Sequence, residues 1–412
     1  MKKLILALAF LLSLPQYAQV SQSGNTELGS KEIISLDDVN YDMLVDSKKT
    51  DKPVLRKASK QDKLIAKADE YFDKMWYSEA ADLYELALSN DPESQSLELL
   101  EKAGDANYYN TNMERAYYWY DLLYKNYKQE MSTDNLFKYA NSLKGTGKYG
   151  RAKRLMRIYD KKFQDEHTLQ VVEMKDEQIK RKEATLDNIL SKVNDYEIMD
   201  LAINSEYSDF SPTFYQDDKV VFSSAKDSSF LSTRRYKWNN QPYLDLYVAK
   251  INEESQELKD AMKFSKKINT KYHEASVTFS PDNETMYFTR NNYIKKLGRD
   301  KNGDNNLKIY KSVKVNGDWT EAVEVPFNSD SYSTGHPALS PDGKKLYFVS
   351  DMPGSMGKTD IFVVDVLPDG TYSDPKNLGP EINTEQREMF PFINDNKIYF
   401  SSDGHTGLGG LD

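Results

Sequence analysis

Four histidines, His167, His273, His336 and His405, are the chain's imidazoles. A metal or acid–base site would need them paired at close spacing, as in His-Glu-x-x-His. They stand on separate stretches without that spacing, which favours structural or solvated roles. Gly354-Ser355-Met356-Gly357 comes near a nucleophile elbow but lacks both the Gly-x-Ser-x-Gly spacing and the strand-to-helix setting that exposes a reactive serine. It reads as a loop. Asp300-Lys301-Asn302-Gly303-Asp304-Asn305 alternates oxygen side chains like a calcium loop, so calcium at Asp300, Asn302 and Asp304 is a minor candidate. Gly303 at the fourth place and Lys311 where a bidentate Glu belongs point instead to a hairpin insertion. Asp209, Glu274 and Glu388 stand ahead of expected strands and are placed either to ring the mouth of a channel or to cap turns, the simpler account. No catalytic or cofactor-binding residue is expected.

The elements that would position these residues repeat. Pro337 to Ser340, Lys345 to Ser350 and Ile361 to Val364 read as short strands, the first two hinged at Pro341-Asp342-Gly343, where Gly343 suits a turn needing positive φ. Further copies run over Ser280–Asn292, Asn394–Asp403 and, more loosely, Phe210–Asp227. Each is preceded by a bulky residue, Asn, then Ser or Thr, with the Asn at Asn204, Asn269, Asn328 and Asn383, spaced by 65, 59 and 55 residues. Constant spacing inside the unit with variable spacing between units is the mark of a repeat fold with loop insertions. The third strand follows an aspartate at Asp245 and Asp360, and Asp412 falls at the equivalent place; a short carboxylate there can accept from loop N–H groups. Such β units favour a propeller over a sandwich.

Residues 1–18 combine two lysines, an apolar run from Leu4 to Leu14, Pro15 and Ala18, a secretory signal peptide too short to span a bilayer. The chain has no cysteine, hence no lipoprotein attachment residue and no disulfide framework. Net charge is −10, and the absence of a sizeable basic cluster argues against nucleic acid and anionic lipid as partners. Residues 19–59 are polar and read as a flexible leader.

From Leu64 the apolar period becomes helical. Ala68, Tyr71, Ala80, Tyr84 and Ala87 are followed 36 residues later by Gly104, Ala116, Tyr120 and Leu123, and 36 later again by Ala140, Ala152, Met156 and Tyr159. These three units, residues 60–166, resemble tetratricopeptide repeats, in which small residues let paired helices approach. Residues 167–195 read as a capping or linking helix. The face such repeats use for partners would carry Asp69, Phe72, Asp73, Glu98, Glu101, Asp105, Tyr108, Tyr109, Phe137 and Asn141. That makes an acidic groove with interleaved aromatics, suited to a basic or polar segment with an apolar anchor. The bland alternative is a set of solvated helix positions.

Residues 196–412, with Ile-Asn-Ser/Thr, Ser-Pro-Asp-Gly-Lys-Lys-Leu-Tyr-Phe and Asp-Ile-Phe-Val, resemble the WD40-like repeat of TolB-type propellers. The fold class expected is therefore multidomain, all-α tetratricopeptide repeats followed by an all-β propeller of about three blades and part of a fourth, incomplete in this chain. Signal peptide, helical repeats and propeller in series resemble the OmpA-family envelope proteins of the Bacteroidetes, of the PorE type tied to type IX secretion and gliding. That resemblance implies a periplasmic, non-enzymatic scaffold at the outer membrane, a PorP/SprF-type β-barrel or another secretion component as partner, and peptidoglycan binding through a C-terminal OmpA-like domain beyond Asp412. The alternatives are a propeller hydrolase or peptidase, and a glycan- or peptide-binding propeller without a secretion role.

Overall fold

A computed structural model describes residues 59–90, 95–167, 200–226, 234–252, 254–255, 257–405, 407 and 411. The expected signal peptide (1–18), the expected leader (19–59) except residue 59, and the expected capping helix (167–195) except residue 167 lie outside them. Among the described residues six helices come first: α1 (Lys60–Asp73), α2 (Tyr77–Asn90), α3 (Leu97–Tyr109), α4 (Met113–Tyr127), α5 (Thr133–Gly145) and α6 (Tyr149–His167). Ser59, Ser96, Asn112 and Ser132 cap α1, α3, α4 and α5, each side chain accepting from a backbone N–H three residues on.

The 36-residue period has a local cause at the helix joints. Met75, Thr111 and Gly147 all sit at positive φ, and the next residue's N–H reaches back to Tyr71, Asn107 and Leu143 carbonyls at 2.8–2.9 Å. This is the left-handed helix stop that turns each pair back on itself. Within a pair the small positions allow close approach: a Cβ on Gly104 would come within 2.5 Å of the Tyr120 ring. Tyr84, Tyr120, Tyr139, Leu100, Leu123 and Leu143 fill the core between pairs and are fully buried.

Among the described residues the β domain holds four antiparallel sheets. Blade 1 is β1 (Asp209–Tyr215), β2 (Lys219–Ser224), β3 (Asp245–Ile251) and β4 (Leu258–Lys263). Blade 2 is β5 (Glu274–Phe279), β6 (Thr285–Asn291), β7 (Leu307–Val315) and β8 (Asp318–Trp319), with β9 (Val323–Glu324) also on β7. Blade 3 is β10 (Thr334–Leu339), β11 (Lys345–Ser350), β12 (Asp360–Asp365) and β13 (Lys376–Asn377). Two described strands, β14 (Glu388–Asn394) and β15 (Lys397–Ser402), form the fourth sheet. Successive inner strands β1, β5, β10 and β14 pack side by side, and apolar side chains of neighbouring blades close the gaps, as Phe288 and Tyr310 do against Tyr215 and Val221. Helical repeats followed by curled antiparallel sheets are thus the architecture.

The Asn-Ser/Thr punctuation works as a clasp. Asn269 accepts from Leu246 N at 3.0 Å and donates to Leu246 O at 2.9 Å. Asn328 does the same with Ile309, and Asn383 with Ile361. A short side-chain amide carries a donor and an acceptor side by side, so it copies one rung of a β ladder on the edge of the third strand. The following hydroxyl residue then binds the acid that opens the inner strand: Ser205 to Asp209, Thr270 to Glu274 and Thr384 to Glu388, through both backbone N–H and Oγ at 2.6–2.9 Å. These acids cap turns. In blade 3 the acid is replaced by Thr334, whose hydroxyl bonds to Asn328 Oδ1.

Every inner strand also carries a bulge with a non-glycine residue at positive φ: Ser211, Ser276, His336 and Phe390. Left-handed backbone at such residues costs about 1 kcal/mol or more and persists only where it is held. Ser223 Oγ accepts from Ser276 N at 3.0 Å, and Thr289 Oγ1 from His336 N at 2.8 Å. The next hydroxyl position holds Val349, which cannot accept. His336 supplies the missing acceptor, its Nδ1 lying 3.3 Å from Phe390 N with the ring stacked on Phe390 at 4.0 Å.

Candidate functional site

The feature that joins the two repeat arrays is a hairpin in the loop between β2 and β3. Arg235 pairs with Pro242, Tyr236 N donates to Gln241 O at 2.7 Å, and Asn240 N closes onto Tyr236 O at 2.8 Å. At its tip Trp238 enters the aromatic end of the helical groove. Its Nε1 donates to Tyr109 O at 2.8 Å, and its ring stands edge-on to Tyr77 at 4.9 Å. Tyr77 in turn packs on Tyr109 at 4.9 Å and on Phe72 at 5.1 Å. Lys237 bonds to Glu79 at 2.5 Å and lies over the Trp76 ring at 5.1 Å. Further along, Lys358 lies over Phe137 at 5.8 Å. Arg387, paired with Asp403 at 2.7 Å, sits beside Tyr108: burial pulls its pKa down, but Asp403 and Tyr108 hold it above the ordinary value.

Most groove carboxylates already have partners inside the array. Asp69 accepts from Tyr84 Oη at 2.6 Å and from Lys102 at 2.9 Å. Asp105 makes the equivalent bond to Tyr120 Oη at 2.6 Å and pairs with Lys138 at 3.0 Å. Glu101 accepts from Asn135 at 2.7 Å and Glu98 binds Lys102 at 2.8 Å. Asn141 Nδ2 donates to Tyr108 Oη at 3.3 Å, while Asn141 Oδ1 is buried without a partner among the described residues. Asp73 lies near Tyr84 and adds to the negative field that raises its pKa. Burial raises the Asp105 pKa against the pull of Lys138, and Lys138, flanked by Asp105 and Asp134, stays charged despite burial. The groove is therefore a cross-linked polar seam with one end filled by Trp238.

Other candidates resolve into loop supports. Ser355 Oγ donates to Met352 O and Ser350 O at 2.9 and 3.2 Å. Asp360 accepts from Met356 N, Gly357 N and Asn377 Nδ2 at 2.6–3.0 Å, and Asp342 from Ser340 Oγ and Lys344 N at 2.6 and 3.1 Å, with Gly343 at φ 72°. Asp245 departs from the loop-capping role: its ion pair is with Lys263 on the neighbouring strand, at 2.6 Å. Asp300 Oδ1 accepts from Asn302 N and Asp304 N at 2.8 Å, and Asn302 Nδ2 donates to Asp300 Oδ2 at 3.3 Å. Among the described residues no cluster of three or more His, Cys, Asp or Glu is arranged to hold a metal ion. His273 Nδ1 accepts from Leu244 N at 3.1 Å between Tyr236 and Tyr243. His405 Nε2 lies 2.9 Å from Ile382 O.

Trp238 and Tyr77 are the contact residues that pattern reading passes over. The one available signal is a tryptophan inside the polar insertion Arg234-Arg235-Tyr236-Lys237-Trp238-Asn239-Asn240, where solvent alone gives it no reason to be.

No protein-family model and no curated protein matches the chain. Among solved structures, the Sgt2 TPR domain from Aspergillus fumigatus is similar at 21% identity, over 35% of this chain and 93% of that one, with a TM-score of 0.25. A Mycobacterium tuberculosis puromycin-hydrolyzing peptidase matches at 16% identity, over 48% of this chain and 36% of that one, TM-score 0.28. An α-L-arabinofuranosidase from Lactobacillus brevis matches at 11% identity, over 49% and 68%, TM-score 0.31. At such TM-scores none of them bears on what this chain does.

Proposed function

We propose that this chain is a non-enzymatic interaction scaffold of the bacterial envelope, in which helical repeats and β blades act as one docked body. The observation that carries the reading is the seating of Trp238 on Tyr77 and Tyr109, which ties together two folds whose usual work is to present surfaces. It is supported by the fate of the chemistry-bearing side chains: Ser355, Asp360 and Asp300 bond within their own loops, and His336 holds the bulge of the neighbouring inner strand. No helix among the described residues is long and apolar enough to cross a membrane. The finer reading follows the family resemblance: a periplasmic protein at the outer membrane that links a type IX secretion or gliding component, such as a PorP/SprF-type barrel, to peptidoglycan through an OmpA-like domain.

Affinity capture of the tagged full-length gene product from envelope extracts, with peptidoglycan sedimentation in parallel, tests it. Recovery of an outer-membrane β-barrel and co-sedimentation with the wall are expected. Recovery of neither, or turnover of a peptide or glycoside by the purified protein, overturns it.

A further inference from the structure

We propose that the loops beside the Trp238 hairpin form a docking surface for an acidic polypeptide segment that carries an apolar residue among its carboxylates. The chain is acidic, net −10, yet Arg234, Arg235, Lys271, Lys295 and Lys296 are gathered at one end of blades 1 and 2. All five are exposed, and among the described residues no carboxylate pairs with any of them. A cluster of like charges raises the energy of the folded chain unless something of opposite sign meets it.

Three of the cations, Arg234, Arg235 and Lys271, are mounted on tyrosines. Arg234 lies 4.5 Å above the Tyr272 ring and 4.8 Å above Tyr243, and Lys271 sits over Tyr272 and Tyr293 at 5.6 and 5.5 Å. Arg235 lies 5.6 Å from Tyr207. The rings also touch one another, Tyr243 to Tyr272 at 5.8 Å and Tyr272 to Tyr293 at 4.8 Å, so the platform is continuous. Stacking on a ring orients a guanidinium while leaving much of its N–H edge outward: among the described residues Arg234 bonds to Lys271 O at 3.4 Å and to Tyr243, and Arg235 to Asn240 O at 2.9 Å and Tyr207 Oη at 3.3 Å. Charge-assisted bonds to carboxylates are what such preoriented donors, without a carboxylate partner among the described residues, complement.

The choice of polypeptide over glycan rests on Ile294. It stands between Tyr293 and Lys295 with 62% of its surface exposed, the most exposed large apolar side chain among the described residues. A peptide side chain can cover it; a uniformly hydroxylated sugar polymer has less to offer. The platform also runs without a break into the interdomain contact, since Tyr236 packs on Tyr243 at 5.6 Å and on Trp238 at 6.3 Å. The inference rests on the scaffold reading only in taking the ligand to be a protein.

The test is fluorescence anisotropy of the full chain with a labelled peptide of Glu-Asp pairs separated by leucines. Its Gln-Asn counterpart, a sulfated polysaccharide and phosphatidylglycerol vesicles serve as competitors. The acidic peptide should bind, and the paired variants R234E/K271E and K295E/K296E should each weaken it about tenfold or more. I294S should weaken it severalfold, with unchanged circular dichroism in all variants. No binding, equal binding of the Gln-Asn peptide, or displacement by polysaccharide or vesicles at lower concentration than by the peptide overturns the proposal. Failure here with barrel capture from envelopes intact refutes this surface and leaves the scaffold standing.

Discussion

The indole Nε1 of Trp238 and the backbone carbonyl of Tyr109 are 2.8 Å apart although 129 residues separate them in the chain. A carbonyl at the end of α3, which no intrahelical donor reaches, is met by a side chain from the β domain. The bond closes a polar vacancy and the ring contacts with Tyr77 exclude water around it.

Trp238→Ala removes both ring and donor and should weaken docking by about 2–4 kcal/mol, as loss of a central aromatic anchor does. Trp238→Phe keeps the ring and loses only the bond, about 1 kcal/mol. Differential scanning calorimetry reads the difference. A coupled transition in the wild type should split into two in the alanine variant, and an unchanged trace in that variant would count against the contact.

The clasp asparagines separate by burial. Asn383 is buried and holds both backbone groups of Ile361, so Asn383→Ala should cost about 2–3 kcal/mol by orphaning a strand edge. Asn204 is exposed and makes no side-chain hydrogen bond to a described residue, so Asn204→Ala should stay within about 0.5 kcal/mol. Urea titration of the two variants settles it; equal costs would refute the clasp mechanism.

His336 takes the place of a hydroxyl that Val349 lacks. His336→Ala should cost about 1–3 kcal/mol through the stranded Phe390 N–H, and adding Val349→Thr should recover part of that loss, whereas Val349→Thr alone gains nothing. The ring also sets a pH dependence. Burial pushes its pKa from an ordinary 6.5 to about 4. Between about 6.5 and 4 the unfolded chain binds the proton and the folded chain does not, so the buried ring costs stability progressively as pH falls from about 6.5 toward 4 and costs none above 7. His336→Phe should therefore gain on the wild type as pH drops through that window. Glu274, whose buried carboxyl is raised to about 7 against the pull of Arg290, acts in the opposite sense but equally in both proteins, and so cancels.

Charge changes in the helical groove should act first on folding. Asp105→Ala leaves Lys138 buried with Asp134 as its other partner and should cost about 2–4 kcal/mol, while Glu98→Ala, whose side chain is 75% exposed, should cost less than about 0.5. Thermal melts distinguish them. An Asp105 variant as stable as the wild type would restore the groove acids to the status of free ligand contacts.

How much of this can be read from the chain alone follows from the range of each interaction. The helical period and the Asn spacing are legible because short-range packing and turn chemistry impose them: small Gly104 under Tyr120, and Asn328 on the adjacent strand edge. The groove is legible as a face, since offsets fix which side chains share it, but not as a surface. What covers Tyr109 comes from residue 238, and what neutralises Asp105 comes from Tyr120 and Lys138 together. Asp245 looks like Asp360 in the strand pattern, yet blade 1 brings Lys263 to it, a cross-strand partner that register alone decides. The left-handed bulges at Ser211, Ser276, His336 and Phe390 leave no common sequence mark, because serine, histidine and phenylalanine all stand there and none is the glycine or asparagine that positive φ favours.

The central claim is that helical repeats and blades form one body through Trp238. Because the chain has no cysteine, spin labels can be placed cleanly at Leu86→Cys on α2 and Met262→Cys on β4, both exposed. Pulsed electron–electron resonance between them should give a single narrow distance distribution that broadens when Trp238→Ala is added. A broad distribution in the wild type, or a narrow one unchanged by Trp238→Ala, would contradict it.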